Sequence, residues 1–499
     1  MTERTIGKAL RPLALGLAAV ALMGATQPPV VKTEGGAVRG AVADEGQALV
    51  FRGIPFAAPP LGERRWTPPA PVVPWSGVKD ATTPAPACLQ NDYGWNRADF
   101  RFAQEDCLTL DIRTPGLSGK RPVIVWIHGG SNRAGSPNDI VTSTITRHNV
   151  VLVGIRYRLG IFGFLSHRGL TAEGKGASGN YGLMDQVAAL EWVKRNIARF
   201  GGDPSNVTIV GESAGSQDVS LMLATPQAGG LFAKAILQSG TPGFGLPFRP
   251  LAEAERIGDQ ADALLETGGD IGKLRAASVP ALLAADLKLH DDALESDDYM
   301  WLRTTIDGAV LPKSPHDLLA EAPPRPVIVG SNRFELDLPG GRPHRDAFVA
   351  KAFGANEAEA RAFYRLDAPD PAPHPRLGTR DQQIATDVTF RCPANRMAQI
   401  LARKGAPVWQ YEFDLAPDGG MTRHALDVSY VFSEQTFASG LSLQAYWVQF
   451  ARTGDPNGPG LPAWPAYRPE KPAHVAFDGA GVTPLGALRP QPCSLMERL

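Results

Sequence analysis

A serine at position 213 lies in the run VTIVGESAGS, which spans residues 207–216 and contains the pattern Gly-x-Ser-x-Gly. Apolar residues typical of a strand precede Gly211, and Gly215 opens a helical pattern. In such a strand–turn–helix arrangement the serine hydroxyl is exposed at a helix N-terminus, where backbone N–H groups bind a developing oxyanion. Glycine on both sides avoids collisions with the neighbouring strand and helix. The segment predicts a nucleophilic serine, although five-residue matches also occur by chance.

A nucleophilic serine requires a base that takes its proton and an acid that orients the base. In hydrolases with this strand–turn–helix arrangement the chain order is Ser, then Asp or Glu, then His. Six of the nine histidines follow the serine: His290, His316, His344, His374, His424 and His474. The last of these lies in a short apolar strand pattern, whereas those at 344 and 374 lie among prolines and charges. These three are therefore the weaker candidates for the base.

The elements around the serine alternate between strand and helix. Apolar runs predict strands at 123–127, 150–155, 207–210, 235–237, 327–329, 408–411 and 474–477. Between the second and third of these runs, apolar residues at helical spacing predict a helix that ends before Gly201. Alternation of this kind predicts an α/β fold with a large, mostly parallel central sheet flanked by helices. Residues 30–86 predict an antiparallel edge with long loops.

Residues 243–303 interrupt the alternation. They are rich in Ala and Leu, show helical patterns near 252–267 and 280–289, and lack a good strand. We interpret them as a helical insertion over one face of the sheet, at the active site. A cap that shapes substrate entry and a packing element with no gating role both fit the sequence.

The composition is that of an ordinary globular protein. The chain has 499 residues, 43% of them hydrophobic and 20% charged, with a formal net charge of −1. This balance indicates neither a nucleic-acid partner nor an anionic membrane surface. The length would allow two or three domains, but large α/β enzymes also form one unit. We predict a single domain over residues 26–499.

Residues 1–25 resemble a secretory signal peptide. Arg4, Lys8 and Arg11 form a basic start, residues 13–23 are apolar, and Gly24 and Ala25 supply small residues for a cleavage site. The apolar run is too short to span a bilayer. An uncleaved N-terminal anchor is the alternative, because Met23 fits poorly two positions before a cut after Ala25. The interpretation predicts a secreted or periplasmic protein.

The cysteines are informative if the protein is exported. Four are present, at Cys88, Cys107, Cys392 and Cys493, and they allow three pairings. Four free thiols in a cytosolic enzyme are the alternative.

Longer motifs make the chain resemble the type-B carboxylesterases, the cholinesterase-like branch of the α/β-hydrolases, as a bacterial carboxylesterase-like member. The resemblance rests first on GNYGLMDQVAALEWVKRNIARFGGDPSNVTIVGESAGS, which ends at Ser216. Further matches are FRGIPFAAPPLGERRW, EDCLTLDI, IHGG, YRLGIFGFL, AILQSG, TTIDGAVLP, HALDVSYVF and FARTGDPNGPGLPAWPAY. They follow the family's order along nearly the whole mature chain.

The resemblance implies a Ser-His-Glu triad. The family's nucleophile falls on Ser213, its base on His424 in HALDVSYVF, and its acid on Glu335 in the segment GSNRFEL. The residues beside the glutamate, Phe334 and Leu336, differ from the family's usual Asp and Gly. Asp337 is therefore a rival for the acid.

The same resemblance implies the groups around the triad. The oxyanion hole falls on the backbone N–H groups of Gly130, Ser131 and Ala214, with a serine at 131 where glycine or alanine is usual. Glu212 and Ser239 match residues that support the histidine and the glutamate by hydrogen bonds. An ordinary buried hydroxyl is the alternative for Ser239.

The resemblance also draws attention to two further positions and selects one of the three cysteine pairings. Asp218 replaces a serine that is common after the nucleophile. Trp95 falls where cholinesterases hold quaternary ammonium groups, although packing is the more ordinary role of a single tryptophan. The family's pairings correspond to Cys88 with Cys107 and Cys392 with Cys493.

The implied function is a serine hydrolase that cleaves carboxylic esters through an acyl-enzyme and requires no cofactor or metal. The expected partner is a small-molecule ester, with no nucleic acid and no integral membrane segment in the mature chain, and the expected state is a monomer or weak homodimer. A hydrolase of unusual esters, carbamates or amides is one alternative. The other is a non-catalytic, cholinesterase-like binding protein.

Overall fold

A computed structural model describes residues 1–2, 28–291, 302–338, 340–416 and 419–497. Apart from its first two residues, the predicted signal peptide lies outside the described residues. No helix within these ranges is long and apolar enough to span a bilayer.

The strands and helices are numbered in chain order. The strands are β1 (Val30–Lys32), β2 (Ala37–Arg39), β3 (Ala41–Ala43), β4 (Ala48–Pro55), β5 (Val78–Asp80), β6 (Thr109–Thr114), β7 (Arg121–Ile127), β8 (Val151–Ile155), β9 (Gly202–Glu212), β10 (Lys234–Gln238), β11 (Arg249–Pro250), β12 (Thr305–Ile306), β13 (Val327–Asn332), β14 (Val408–Phe413), β15 (His474–Asp478) and β16 (Gly481–Leu485). The α-helices are α1 (Arg97–Arg101), α2 (Gly160–Phe164), α3 (Arg168–Glu173), α4 (Tyr181–Asn196), α5 (Ala214–Ala224), α6 (Leu251–Leu265), α7 (Ile271–Ala276), α8 (Val279–Asp286), α9 (Pro315–Glu321), α10 (Gly341–Phe353), α11 (Glu357–Tyr364), α12 (Arg380–Thr386), α13 (Cys392–Arg403), α14 (Leu426–Phe432), α15 (Leu443–Thr453) and α16 (Pro490–Glu497).

The central sheet has 11 strands in the order β16-β15-β14-β13-β10-β9-β7-β8-β6-β4-β3. The seven strands from β15 to β8 pair in parallel, and the pairs at both edges are antiparallel. The predicted mostly parallel sheet is therefore confirmed. Parallel strands end at the same edge of the sheet, so the loops after β7, β9 and β13 lie side by side.

Both faces of the sheet are covered. Along β7, Val123, Val125 and Ile127 belong to the same apolar cluster as the buried residues of α4. The alternate residues Ile124 and Trp126 pack with the residues of α14 and α15. A strand buried on both faces reads as a continuous apolar run, which is why the sequence identified β7 and β8 so directly.

The N-terminal region divides between two sheets. β3 and β4 form the predicted antiparallel edge, but β1, β2 and β5 form a separate three-stranded sheet. The short runs of residues 30–86 did not distinguish these two sheets, because strands of three residues carry little periodicity.

The insertion is helical, as the sequence predicts. α6 and α8 correspond to the two predicted helices, and residues 292–301 lie outside the described range. The expected lack of a strand is wrong at one point, because Arg249 and Pro250 form β11 and pair with β12. Asp286 of α8 binds Arg133 at 3.1 Å and accepts the Ile161 N–H at 2.9 Å. These contacts attach the insertion to the loop after β7 and to α2.

Both disulfides implied by the resemblance are present. Cys88 joins Cys107, with 5.0 Å between Cα atoms, and Cys392 joins Cys493, with 4.7 Å. The second disulfide ties α16 to the start of α13.

We expect removal of the disulfides to destabilise the protein unequally. Chain-entropy arguments give about 3 kcal/mol for the Cys88–Cys107 loop and about 4–5 kcal/mol for the Cys392–Cys493 loop. Thermal unfolding of C88S/C107S and C392S/C493S, each compared with the unreduced parent, measures this. A larger loss of Tm in C88S/C107S would contradict the loop-length argument.

Candidate active site

Ser213 occupies the turn between β9 and α5. Its backbone adopts φ +56° and ψ −127°, a region that few non-glycine residues enter. The turn is held from both sides, because the Ser213 N–H donates to the Gln238 carbonyl at 2.9 Å and the Ser213 carbonyl accepts from the Gln217 N–H at 3.0 Å. The strained backbone is thus fixed between β10 and α5.

The flanking glycines are required by close backbone approach. A Cβ atom on Gly211 would lie 2.3 Å from the Gly215 carbonyl oxygen, and one on Gly215 would lie 2.1 Å from the Ile127 carbonyl oxygen. No real Cβ atom tolerates such distances, so the turn can form only with glycine at both positions. This steric requirement explains both glycines of the Gly-x-Ser-x-Gly pattern.

The structure brings His424 and Glu335 to this serine. The Ser213 hydroxyl oxygen lies 2.9 Å from His424 Nε2, and His424 Nδ1 lies 2.7 Å from Glu335 Oε2. With the proton on Nδ1, the imidazole donates to the carboxylate and accepts the serine proton at Nε2. Serine, imidazole and carboxylate therefore form one continuous hydrogen-bonded chain.

The glutamate is fixed by the end of β13. Its Oε1 accepts the Ser239 hydroxyl at 2.7 Å and the Asn332 backbone N–H at 2.6 Å. The side chain of Glu335 is fully buried. Asp337, the rival considered from the sequence, is exposed. Ser239 thus supports the glutamate by a direct hydrogen bond, as the resemblance implies.

A second carboxylate faces the histidine. Glu212 Oε1 lies 3.2 Å from His424 Nε2. Burial raises the pKa of Glu212 to about 8, although the histidine opposes this shift. Burial lowers the pKa of His424, but Glu212 and Glu335 outweigh it and raise the value to about 9. The two groups are close enough to titrate as a pair.

The glycine-rich loop after β7 lies directly against Ser213. A Cβ atom on Gly129 would lie 3.0 Å from Ser213 Cβ and 2.6 Å from the Glu212 carbonyl oxygen. Gly130, Ser131 and Asn132 all have positive φ, at +96°, +58° and +55°. We call residues 129–132 the oxyanion loop. Ala214, the third predicted donor, is the first residue of α5.

Several residues of the site are not among those predicted from the sequence. Asn332 holds Glu335 through its backbone, and buried Asp427 accepts hydrogen bonds from Gln238 at 2.9 Å and Tyr411 at 2.8 Å. The aromatic ring of Phe390 lies 5.2 Å from the His424 ring. Asp427 belongs to the HALDVSYVF motif, three residues after the histidine, and this position was the one clue available.

The two positions left open by the sequence lie at opposite sides of the oxyanion loop. Trp95 is 63% exposed, and its ring atom Cη2 lies 3.0 Å from the position of a Cβ atom on Gly130. Asp218 is fully buried on α5. The tryptophan therefore borders the open side of the site, and the aspartate supports the loop from within.

The arrangement is suited to attack on an acyl carbon. A serine oxygen that can pass its proton to an imidazole is a strong nucleophile, and a buried carboxylate stabilises the imidazolium that results. Backbone N–H groups at the start of α5 and in a nearby loop are the kind of donors that stabilise a tetrahedral oxyanion.

Comparisons with known proteins agree with this chemistry. A model of the carboxylesterase family matches residues 27–486. Mouse (Mus musculus) carboxylesterase 1E is 36% identical over 508 residues, which cover 89% of each chain. Rabbit (Oryctolagus cuniculus) liver carboxylesterase 1 is 35% identical over 521 residues, with 91% of each chain covered.

Solved structures give the same result. A thermophilic PNB esterase superposes with a TM-score of 0.81 at 29% identity, covering 94% of this chain and 99% of that one. A Geobacillus stearothermophilus carboxylesterase gives a TM-score of 0.75 at 32% identity, with 92% and 97% covered.

We expect Glu212→Gln to shift the acid limb of kcat/KM to lower pH. His424 accepts a proton only when neutral, so activity falls as pH drops through its pKa, and Glu212 is the first of the charges that raise this pKa. A pH profile with a p-nitrophenyl ester measures the shift. The exposed Glu191→Gln serves as control, and an unmoved limb in E212Q would show that the carboxylate does not act on the histidine.

Proposed function

This chain belongs to the carboxylesterase family and is a carboxylic ester hydrolase, and we propose that its nucleophile is Ser213 and its general base is His424. Glu335 is the carboxylate that orients the base. The observation that carries this assignment is the unbroken chain from the serine oxygen to His424 at 2.9 Å and on to the buried carboxylate at 2.7 Å. Among the described residues, His424 is the side chain recorded within hydrogen-bond distance of the serine hydroxyl, and Glu212 contacts the histidine.

In the first half of the reaction, His424 Nε2 takes the proton of Ser213 as the serine oxygen attacks the ester carbonyl. Glu335 stabilises the imidazolium through the proton on Nδ1. The imidazolium then gives its proton to the departing alcohol oxygen, and the C–O bond of the ester breaks. The acyl group remains on the serine oxygen.

In the second half, a water molecule replaces the alcohol. His424 removes a proton from this water, which attacks the acyl carbon, and then returns the proton to Ser213 as the acid product leaves. The histidine must be neutral at the start of each half. The serine, histidine and glutamate end the cycle in the states in which they began.

The developing oxyanion is bound by the backbone N–H groups of Gly130, Ser131 and Ala214. The packing of Gly129 against Ser213 supports this, because it holds the oxyanion loop beside the nucleophile. Serine at 131 does not prevent the role, since the donor is a backbone group. Loss of one such donor typically costs about 10²–10³ in kcat.

The site is also the basis for the substrate class, which we propose to be small carboxylic esters. Trp95 on the open side and Phe390 beside the histidine are apolar surfaces that favour hydrocarbon or aromatic groups over charged ones. A panel of esters varied separately in acyl and alcohol size, together with a carbamate and an amide of matched shape, distinguishes esters from the alternative substrates.

The proposed triad predicts unequal effects of three substitutions. S213A is expected to lower kcat by at least about 10⁴-fold. E335Q is expected to lower it strongly, because the amide no longer stabilises the imidazolium, whereas D337N, which alters an exposed carboxylate two residues away, is expected to keep activity. Steady-state kinetics and labelling of the serine by an organophosphate measure these effects. Full activity in S213A would exclude the mechanism.

We also propose that residues 1–25 direct export and that the mature chain begins at Thr26. The two disulfides support this, since such bonds form and persist in oxidising compartments. Intact-mass analysis of the protein from the periplasm or medium of an expressing bacterium is expected to show the chain without residues 1–25. A protein found only in the cytosol at full length would contradict export.

A further inference from the structure

Asp218 is a buried carboxylate that the proposed chemistry does not use. It lies on α5, five residues after Ser213, and its exposure is 0%. Within the described residues no arginine, lysine or histidine forms an ion pair with it. Since burial of an unpaired carboxylate is costly, and burial raises the pKa of Asp218 to about 7, its presence requires an explanation.

The partners of Asp218 connect it to the oxyanion loop. Its Oδ1 accepts from Asn132 Nδ2 at 3.0 Å, and its Oδ2 accepts from Gln186 Nε2 at 2.5 Å. Gln186 belongs to α4, a long helix packed against the sheet. The carboxylate therefore bridges a rigid helix and the last residue of the oxyanion loop.

Asn132 makes further hydrogen bonds through its side-chain oxygen and its backbone carbonyl. Its side-chain oxygen accepts the Tyr157 hydroxyl at 3.0 Å, and its carbonyl accepts the Gly160 N–H at 2.7 Å. The same tyrosine hydroxyl lies 2.7 Å from the His128 carbonyl, at the start of the loop. The Asn132 side chain is thus hydrogen-bonded to both Asp218 and Tyr157.

The oxyanion loop needs such an anchor because its backbone is unfavourable. Ser131 and Asn132 are consecutive non-glycine residues with φ of +58° and +55°. Residues held in sparsely populated backbone regions are strained, and they persist only where several contacts with their surroundings hold them. The hydrogen bond from Asn132 to Asp218 is one of the contacts that hold this backbone.

We propose that Asp218 is a positioning residue that fixes the oxyanion loop through Asn132 and so aims the Gly130 and Ser131 N–H groups. The inference rests on the proposed function, in which those groups bind the oxyanion. α5 carries both Ala214, the third donor, and Asp218, and it is a single helix of 11 residues. One rigid element therefore sets the spacing between the donor at its N-terminus and the two donors on the loop.

The hydrogen bonds, rather than the charge, carry this role. In D218N the new amide oxygen accepts from Gln186 and the new NH₂ donates to Asn132, whose own amide turns over to donate to the Tyr157 hydroxyl. The tyrosine then donates to the His128 carbonyl. The contacts with Asn132 and Gln186 are thus kept, so D218N is the conservative variant that should preserve the anchor, whereas D218A and N132A remove it.

The experiment compares D218A, N132A, D218A/N132A and D218N with the parent. We expect kcat to fall about 10- to 100-fold in each alanine variant, with KM changed less than about 3-fold, because the donors act mainly in the transition state. The double variant should be no slower than the slower single one, since both break the same contact. D218N should stay within about 3-fold of the parent.

A second measurement separates positioning from stability. Inhibition by a trifluoromethyl ketone, which forms a tetrahedral oxyanion on the serine, should weaken in parallel with kcat in both alanine variants. The control is S220A, which removes another buried hydrogen-bonding side chain of α5, one whose recorded hydrogen bond goes to the Gln217 carbonyl of the same helix. We expect S220A to lower Tm without changing kcat or inhibition.

The inference is overturned if folded D218A and N132A keep parental kcat and inhibition, or if D218N is as slow as D218A, which would assign the effect to charge. N132A provides the test should D218A fail to fold. Failure of the proposed function looks different, because S213A would then remain active. Parental kcat in D218A and N132A together with an inactive S213A would reject the positioning role alone.

Discussion

The turn at Ser213 is the constraint on which the rest of the structure depends. Its backbone has φ +56° and ψ −127°, and atoms of neighbouring backbone occupy the space that side chains at Gly211 and Gly215 would need. Such a conformation survives only between a strand and a helix that are both firmly packed. β9 in the middle of the sheet and the wholly buried α5 supply that support. The position of the Ser213 hydroxyl therefore depends on how firmly the surrounding core is packed.

Around this turn the protein keeps several carboxyl groups out of water. Glu212, Glu335 and Asp427 are all buried near a single histidine. Burial raises the pKa values of Glu212 and Asp427, while the carboxylates next to the imidazole raise that of His424. Hydrogen-bond donors from β10, β13 and β14 hold Glu335 and Asp427 in place. The pKa values of these groups thus depend on residues at the ends of several neighbouring strands.

The oxyanion loop is likewise held by buried polar contacts. Its close approach to Ser213 depends on Gly129, and its left-handed residues depend on contacts with Asp218, Tyr157 and Gly160. α5 contributes to both parts of the site, since it begins directly after Ser213 and carries Asp218, which we propose to anchor the loop. The polar interior behind the loop is therefore better understood as part of the catalytic geometry than as an irregularity of the core.

The sequence by itself determined the elements and the chemistry that depend on local pattern. Apolar runs located the parallel strands, Gly-x-Ser-x-Gly pointed to Ser213 as the nucleophile that we propose, and longer motifs identified the family and pointed to His424 and Glu335 as its partners. Only the tertiary structure decided which polar side chains meet. The contacts of Asn332 with Glu335, of Asp427 with Tyr411 and of Asp218 with Asn132 depend on how separate strands and helices pack. Spacing along the chain does not predict such contacts, because the two partners lie on different strands or helices whose relative positions are set by packing.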